Sequence, residues 1–330
     1  MYSAIRLFTR VIALLVIAAV AVSAFLFVRH HTGAEQVEAQ WSDREMAPVE
    51  FDTAARSVSI TPLVNWHASD HRFATEPGVS LLIETDRSII LFDAGFNQGD
   101  DARSPLERNV RIMSRKLENA DLIFLSHRHR DHMGGVEAER DGRLALDFIA
   151  DGDKTPVVSP TALPAEPRPV TEIFQPSRIA PGIATTGPIG RQLFMGRIDE
   201  QAMVINLEGR GLVVIVGCGH QTIEKLVRRI EETFEEPIYA IVGDLHFPVP
   251  EGRLSFLGVD AQRYFASGES PFDPVGWRDV DAFADWAEAN DVRLLLGGHD
   301  TSDDVLTMLA ERFGDSFKPL RVGEPQCLGC

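Results

Sequence analysis

The chain has no Gly-x-Ser-x-Gly elbow, no Walker loop and no Gly-x-Gly-x-x-Gly turn, which removes sequence support for serine-hydrolase, P-loop and dinucleotide-binding readings. It contains no internal repeat and no low-complexity tract. Cysteine is scarce, at three in 330 residues, and a single Cys-x-x-Cys (Cys327 and Cys330) has no second copy with which to build a zinc knuckle. Acid is absent from residues 1–33, which carry Arg6, Arg10 and Arg29. The remaining residues therefore hold all 49 acids against 29 bases, a net charge of −20 within a whole-chain charge of −17. So negative a body repels phosphate backbones, and nucleic acid is not expected as a partner unless something local, such as bound cations, inverts the sign. A 44% hydrophobic content over this length suits one large domain or two small ones and excludes a disordered chain.

What is present begins with an apolar run of 18 residues, Val11–Val28, interrupted only by Ser23 and flanked by the three arginines. As a helix it spans about 27 Å, close to a bilayer's hydrocarbon thickness. It reads as an uncleaved anchor or as a cleaved signal. Val22-Ser23-Ala24 offers a poor cleavage site, and Phe25–Val28 continues the run beyond it, which favours the anchor. Basic charge before the run keeps that end cytoplasmic and exports the body. The expectation is a single-pass inner-membrane protein with its body on the periplasmic side, or a secreted one after cleavage. Residues 1–33 are then anchor or signal, 34–56 a polar tether and 57–330 the functional domain. The N-terminal helix is the only membrane contact expected.

Within the body, short apolar runs alternate with helical patterns. Val79–Thr85 and Ser88–Phe92 flank Asp86-Arg87 as a hairpin. Ser104-Pro105-Leu106-Glu107 is a capping box that opens a helix toward Lys116. Strands are expected at Leu122–Leu125, Ala202–Leu207, Leu212–Val216, Ile238–Val242 and Val292–Leu296. Helices are expected at Thr222–Phe234, Asp279–Ala289 and Asp303–Phe313. Eight of the nineteen prolines fall between Lys154 and Gly190, read as a long irregular excursion. Two strand-rich halves, each trailed by helices, give an α/β sandwich with helices on the outer faces.

The chemistry concentrates in Ser126-His127-Arg128-His129-Arg130-Asp131-His132, directly after an apolar strand. Imidazole nitrogen and carboxylate oxygen suit zinc, manganese or iron. From an extended turn His127 and His129 can aim at one ion, while Asp131 and His132 face a second from the next turn. Gly134 and Gly135 allow the loop to close. His220 and His299 stand at the ends of apolar strands and reach the same rim. Cys218 is a ligand or a small buried thiol, with burial favoured. His67 and His71 read as surface histidines.

His-x-His-x-Asp-His after a strand, with Phe92-Asp93-Ala94-Gly95 upstream, resembles the metallo-β-lactamase superfamily over about Ser57–Gly323. That resemblance implies a four-layer αβ/βα sandwich with one or two metal ions, Zn2+ or else Mn2+ or Fe2+, at the edge between the halves. Asp93 would brace the metal loop. Four further motifs are Asp199-Glu200-Gln201, Gly217-Cys218-Gly219-His220, Gly243-Asp244-Leu245-His246 and Gly298-His299-Asp300-Thr301. They are similar to the branch containing dihydropterin–ribofuranosylaminobenzene-phosphate synthase. Gly219, Asp244, Asp300 and Ser302 stand where that branch typically has serine, glycine, cysteine and glycine, departures that bear on the substrate more than on the metal. The implied ligands are His127, His129, Asp131, His132, His220 and His299. Asp244 is a metal bridge in the wider superfamily and a glycine in the branch. His246 is open between bracing a ligand, touching substrate and an ordinary loop role.

Three activities remain. One is a metal-dependent hydrolase acting on an ester, thioester, lactone or phosphodiester bond of a small molecule, with Asp131 and His246 as catalytic candidates. The others are a synthase-type condensation and a non-catalytic metal-binding scaffold. An exported body disfavours the synthase, whose substrates belong to the cytoplasm, and an intact ligand set disfavours the scaffold. Nothing in the sequence specifies an oligomeric state.

Overall fold

The computed structural model describes residues 2–149, 154–194 and 196–330. A long N-terminal helix, α1 (Tyr2–Ser42), precedes β1 (Val58–Val64), β2 (Ser80–Thr85) and β3 (Ile89–Phe92). Then come α2 (Pro105–Ile112), β4 (Leu122–Phe124), α3 (Arg130–Met133) and α4 (Val136–Asp141). Six strands follow: β5 (Val157–Ser159), β6 (Val170–Glu172), β7 (Ser177–Ala180), β8 (Ile183–Thr185), β9 (Ile189–Gln192) and β10 (Arg197–Glu200). The second half continues with β11 (Met203–Leu207), β12 (Gly211–Val216), α5 (Ile223–Thr233) and β13 (Ile238–Gly243). A hairpin, β14 (Ser255–Phe256) and β15 (Val259–Asp260), leads into α6 (Ala261–Phe265) and α7 (Trp277–Ala289). The chain ends with β16 (Arg293–Leu296), α8 (Asp303–Phe313), β17 (Phe317–Pro319) and β18 (Gln326–Leu328).

Two seven-stranded sheets stack face to face, ordered β18-β1-β2-β3-β4-β5-β6 and β17-β16-β13-β12-β11-β8-β7. Alternation along each strand explains the layering, because successive side chains point to opposite faces. Ile90 and Phe92 of β3 and Val213 and Ile215 of β12 meet in the layer between the sheets. Leu91 faces outward onto Leu106 and Val110 of α2, while Val214 and Val216 face Leu226 and Ile230 of α5. Both faces of each sheet are thus buried, so the strands read as continuous apolar runs. The result is the four-layer αβ/βα sandwich expected from the sequence.

Strands β3, β4, β5 and β6 run parallel, as do β12, β13, β16 and β17. This polarity delivers Asp93, Ser126, Gly217, Asp244 and Gly297 to the carboxyl ends of their strands, the edge at which open α/β sheets assemble their chemistry.

Three local expectations are corrected. The proline-rich stretch between Lys154 and Gly190 is not an irregular excursion. Its short strands β5 and β6 extend one sheet, while β7 and β8 edge the other. Helix α2 starts at the Ser104 cap, whose hydroxyl accepts from the Glu107 N–H, but stops at Ile112 because Ser114 turns to φ 53°. Residues 34–42 of the expected tether continue α1, with Val37 and Trp41 buried against the domain. Arg44, Lys225 and Arg229 surround the Trp41 ring, and Lys225 pairs with Glu38. Toward its start, the same helix is long and apolar enough to cross a membrane by length and composition, and its apolar window is unburied. Cys327 and Cys330 form a disulfide.

The stacked rings of Phe92 and Phe124, 5.3 Å apart and fully buried, sit at the centre of the inter-sheet layer. Phe92→Ala is expected to destabilise the fold by about 3–5 kcal/mol, read as a lowered midpoint in denaturant unfolding. Near-wild-type stability would contradict this packing.

Candidate metal centre

The centre is assembled around a buried carboxylate. Asp93 ends β3 with φ 57° and accepts three hydrogen bonds: from the Ser126 N–H at 2.7 Å, from Ser126 Oγ at 2.6 Å and from His132 Nδ1 at 2.6 Å. Ser126 Oγ, its proton committed to Asp93, accepts from His127 Nδ1 at 3.0 Å. Since an imidazole with a protonated Nδ1 keeps its lone pair on Nε2, both His127 and His132 present bare Nε2 atoms away from Asp93. His127 Nε2 lies 3.1 Å from His129 Nδ1, and His132 Nε2 lies 2.9 Å from Cys218 Sγ.

The second half supplies a matching brace. Glu200 is fully buried at the end of β10 and accepts the backbone N–H groups of Cys218 and Gly219 on Oε1 and of His220 on Oε2, at 2.7–3.0 Å. Burial pushes its carboxyl up to about 7 despite these bonds. The turn it cradles requires glycine at 219. That residue sits at φ +90°, and a Cβ would approach the Leu245 backbone to 2.9 Å, which accounts for the missing serine.

Among the described residues three donor groups gather, each with its ligand atoms within 4.8 Å of one another: His127, His129 and His220; Asp131, His132, Cys218 and His299; and Cys218, His220 and Asp300. Their chemistry fits divalent metal. Both ring nitrogens of His220 and of His299 are buried without a hydrogen-bond partner, a costly arrangement unless the lone pairs are used. Burial and then the neighbouring imidazoles hold His127 and His220 well below the usual histidine range, so both rings are neutral at pH 7. His299 Nε2 is 3.2 Å from Asp131 Oδ2 yet lacks hydrogen-bond alignment, as expected of two groups aimed at a shared point. Burial disfavours charge on both, but their attraction wins. Asp131 is held down to about 2 and His299, with Asp300 its strongest partner, is raised to about 10. The carboxylates thus call for a positive charge at this point.

Six expected ligands (His127, His129, Asp131, His132, His220 and His299) converge. Asp244 and His246 do not enter the donor groups. Asp244 Oδ1 accepts the Asp300 N–H at 3.2 Å and Oδ2 accepts from Asn65 Nδ2 at 3.4 Å, so it braces the His299–Asp300 loop. His246 has both ring nitrogens engaged, Nδ1 with Asp300 Oδ2 at 3.0 Å and Nε2 with the Ala266 carbonyl at 2.8 Å. Cys218 is buried, as favoured, but its thiol faces the donors. Asp300 was missed as a donor. Its signal was the replacement of the branch's cysteine by another metal-binding residue. His67 pairs with Asp303 and lies outside the groups.

The model of the metallo-beta-lactamase superfamily matches residues 74–301. The chain belongs to that superfamily. It is 22% identical over 296 residues, 76% of this chain and 90% of the relative, to the 7,8-dihydropterin-6-methyl-4-(beta-D-ribofuranosyl)-aminobenzene-5'-phosphate synthase of Methanocaldococcus jannaschii. Its fold is similar to that of Tm1679, a metal-dependent hydrolase of the beta-lactamase superfamily, with TM-score 0.54 and 18% identity over 82% of this chain and 98% of that one. It is also similar to the metallo-beta-lactamase fold protein YhfI from Bacillus subtilis, with TM-score 0.51 and 13% identity over 82% and 99%.

Because Asp93 orients two of the expected ligands, Asp93→Ala is expected to weaken divalent-metal binding about 10–100-fold in competition with a chromophoric chelator. Unchanged affinity would remove Asp93 from this role.

Proposed function

We propose that the chain is a metal-dependent hydrolase of a small molecule carrying an ester, thioester, lactone or phosphodiester bond. The observation that carries this reading is the adjacency of a three-histidine donor group to an Asp131/His132/Cys218/His299 group at one sheet edge. A cysteine sulfur among the donors favours zinc over manganese or iron. A bound divalent ion there supplies Lewis acidity and lowers the pKa of water.

The chain's own residues do the rest. His129 and Asp131 are the only half-buried members of the three-histidine and four-residue groups, so the bond to be cleaved approaches over them. Asp131 stays ionised at neutral pH, with Oδ2 against His299 Nε2, and its carboxylate accepts a hydrogen bond from the attacking water and orients it. Asp244 and His246 act as positioning residues behind His299 and Asp300. Residues 159–190 and 247–279 shape the approach and set substrate choice.

A second reading comes from the archaeal relative, whose name is that of a synthase acting on a pterin and an aminobenzene ribosyl phosphate. Gly219, Asp244, Asp300 and Ser302 depart from that branch, and a body exported behind a retained α1 would not meet such substrates. We therefore favour hydrolysis, with α1 in the inner membrane and the domain on the periplasmic side.

Metal analysis of the purified chain, followed by a panel of generic ester and phosphodiester substrates, tests this. Zinc should co-purify, chelation should abolish turnover and added zinc should restore it. Asp131→Ala should lose about 10²–10⁴-fold in turnover while keeping zinc on the three histidines. A metal-free protein, or wild-type turnover by that variant, would sink the hydrolase, and condensation of the synthase substrates would favour the second reading.

A further inference from the structure

Ten large apolar side chains outside α1 are exposed among the described residues, and six of them lie between Leu254 and Phe272: Leu254, Phe256, Leu257, Val259, Tyr264 and Phe272. A patch so concentrated marks an interaction surface. Leu257 at the tip of the β14–β15 hairpin is 88% exposed and Phe272 is 84% exposed. No core contact explains why apolar residues occupy these positions.

The patch is continuous with α1. The Phe27 ring, at the end of the apolar run, stacks on Phe272 with centroids 5.6 Å apart and meets Phe194 edge-on at 5.2 Å. Phe194 in turn packs on Phe265 of α6 at 5.7 Å. One turn further along α1, His30 Nε2 donates to the Glu269 carbonyl at 2.9 Å. Phe272 therefore lies at the depth where the apolar run ends, which for a spanning helix is the boundary between acyl chains and headgroups. The segment between Glu251 and Asp273 holds four acids and two bases, so any attraction to lipid is apolar and not electrostatic. Apolar residues at such a boundary bury roughly 5–10 Å deep.

The same segment holds the metal centre. Gln262 Nε2 donates to Asp300 Oδ1 and the Ala266 carbonyl accepts from His246 Nε2. Only a few residues of α6 and its ends separate these contacts from the Phe27 cluster.

We propose that Leu254–Phe272 is a membrane-docking surface that inserts into the leaflet which α1 enters, and so holds the rim of the metal centre against that leaflet. This rests on α1 spanning the bilayer. The bilayer is the occupant because the patch joins the end of the apolar run without a break.

The test uses the full chain reconstituted in phosphatidylcholine vesicles, with a nitroxide at one position per sample: Val20→Cys in the span, Phe256→Cys and Phe272→Cys in the patch, and Glu208→Cys in the β11–β12 turn. Cys218 is buried and Cys327 and Cys330 are paired, so the introduced thiol is the reactive one. Collision rates with oxygen, which partitions into lipid, are compared with those of a water-soluble nickel complex. Positions 20, 256 and 272 should favour oxygen and position 208 nickel. Lipid exposure at 20 with water exposure at 256 and 272 would overturn the docking surface while leaving the anchor intact. Water exposure at 20 as well would overturn both. Spin–spin broadening at 256 and 272 with low oxygen collision would show that a second copy covers the patch, which also overturns the proposal.

Discussion

The centre depends on one buried carboxylate. A polar group at the heart of a sandwich is tolerated only when hydrogen bonds replace the water it has lost. Asp93 meets that condition with three donors at 2.6–2.7 Å, all from the Ser126–His132 loop. Meeting it also fixes which nitrogens of His127 and His132 carry protons and which do not. The folding requirement and the ligand geometry are the same constraint.

The second half repeats the device with different parts. Glu200 gathers three successive backbone N–H groups and so shapes the turn that carries Cys218 and His220. Asp244 does likewise for the loop of His299 and Asp300, through the Asp300 N–H and Asn65. Each ligand-bearing loop thus hangs from an acidic side chain that does not itself join the donor groups. Some of the body's acidic residues near the site are therefore internal scaffolding, held by peptide N–H groups and imidazoles.

The sequence made most strands and the convergence of six donor residues legible because both follow from local pattern: apolar runs with fixed alternation, and chelating residues placed directly after them. Asp300 was harder to see, since its neighbour His299 already accounted for the motif. Asp244 and His246 carry the right chemistry on the right strand end. Their exclusion from the donor groups is set by Asn65, Ala266 and Asp300, which come from three separated parts of the chain. The short strands β5–β8 were masked by prolines, which edge positions and strand ends tolerate. The docking of residues 34–42 was invisible because polar residues on a helix surface look alike whether they face water or another element; Val37 and Trp41 were too few to register.

That docking changes what kind of attachment α1 provides. A flexible linker of the length of residues 34–56 would let a domain wander over about 26 Å of root-mean-square reach. Here the helix is clamped to the domain by Trp41, Lys225 and His30. With α1 in a bilayer, the metal centre keeps one height and one tilt relative to the lipid plane. A substrate held in the same leaflet would then reach it by a search in two dimensions instead of three.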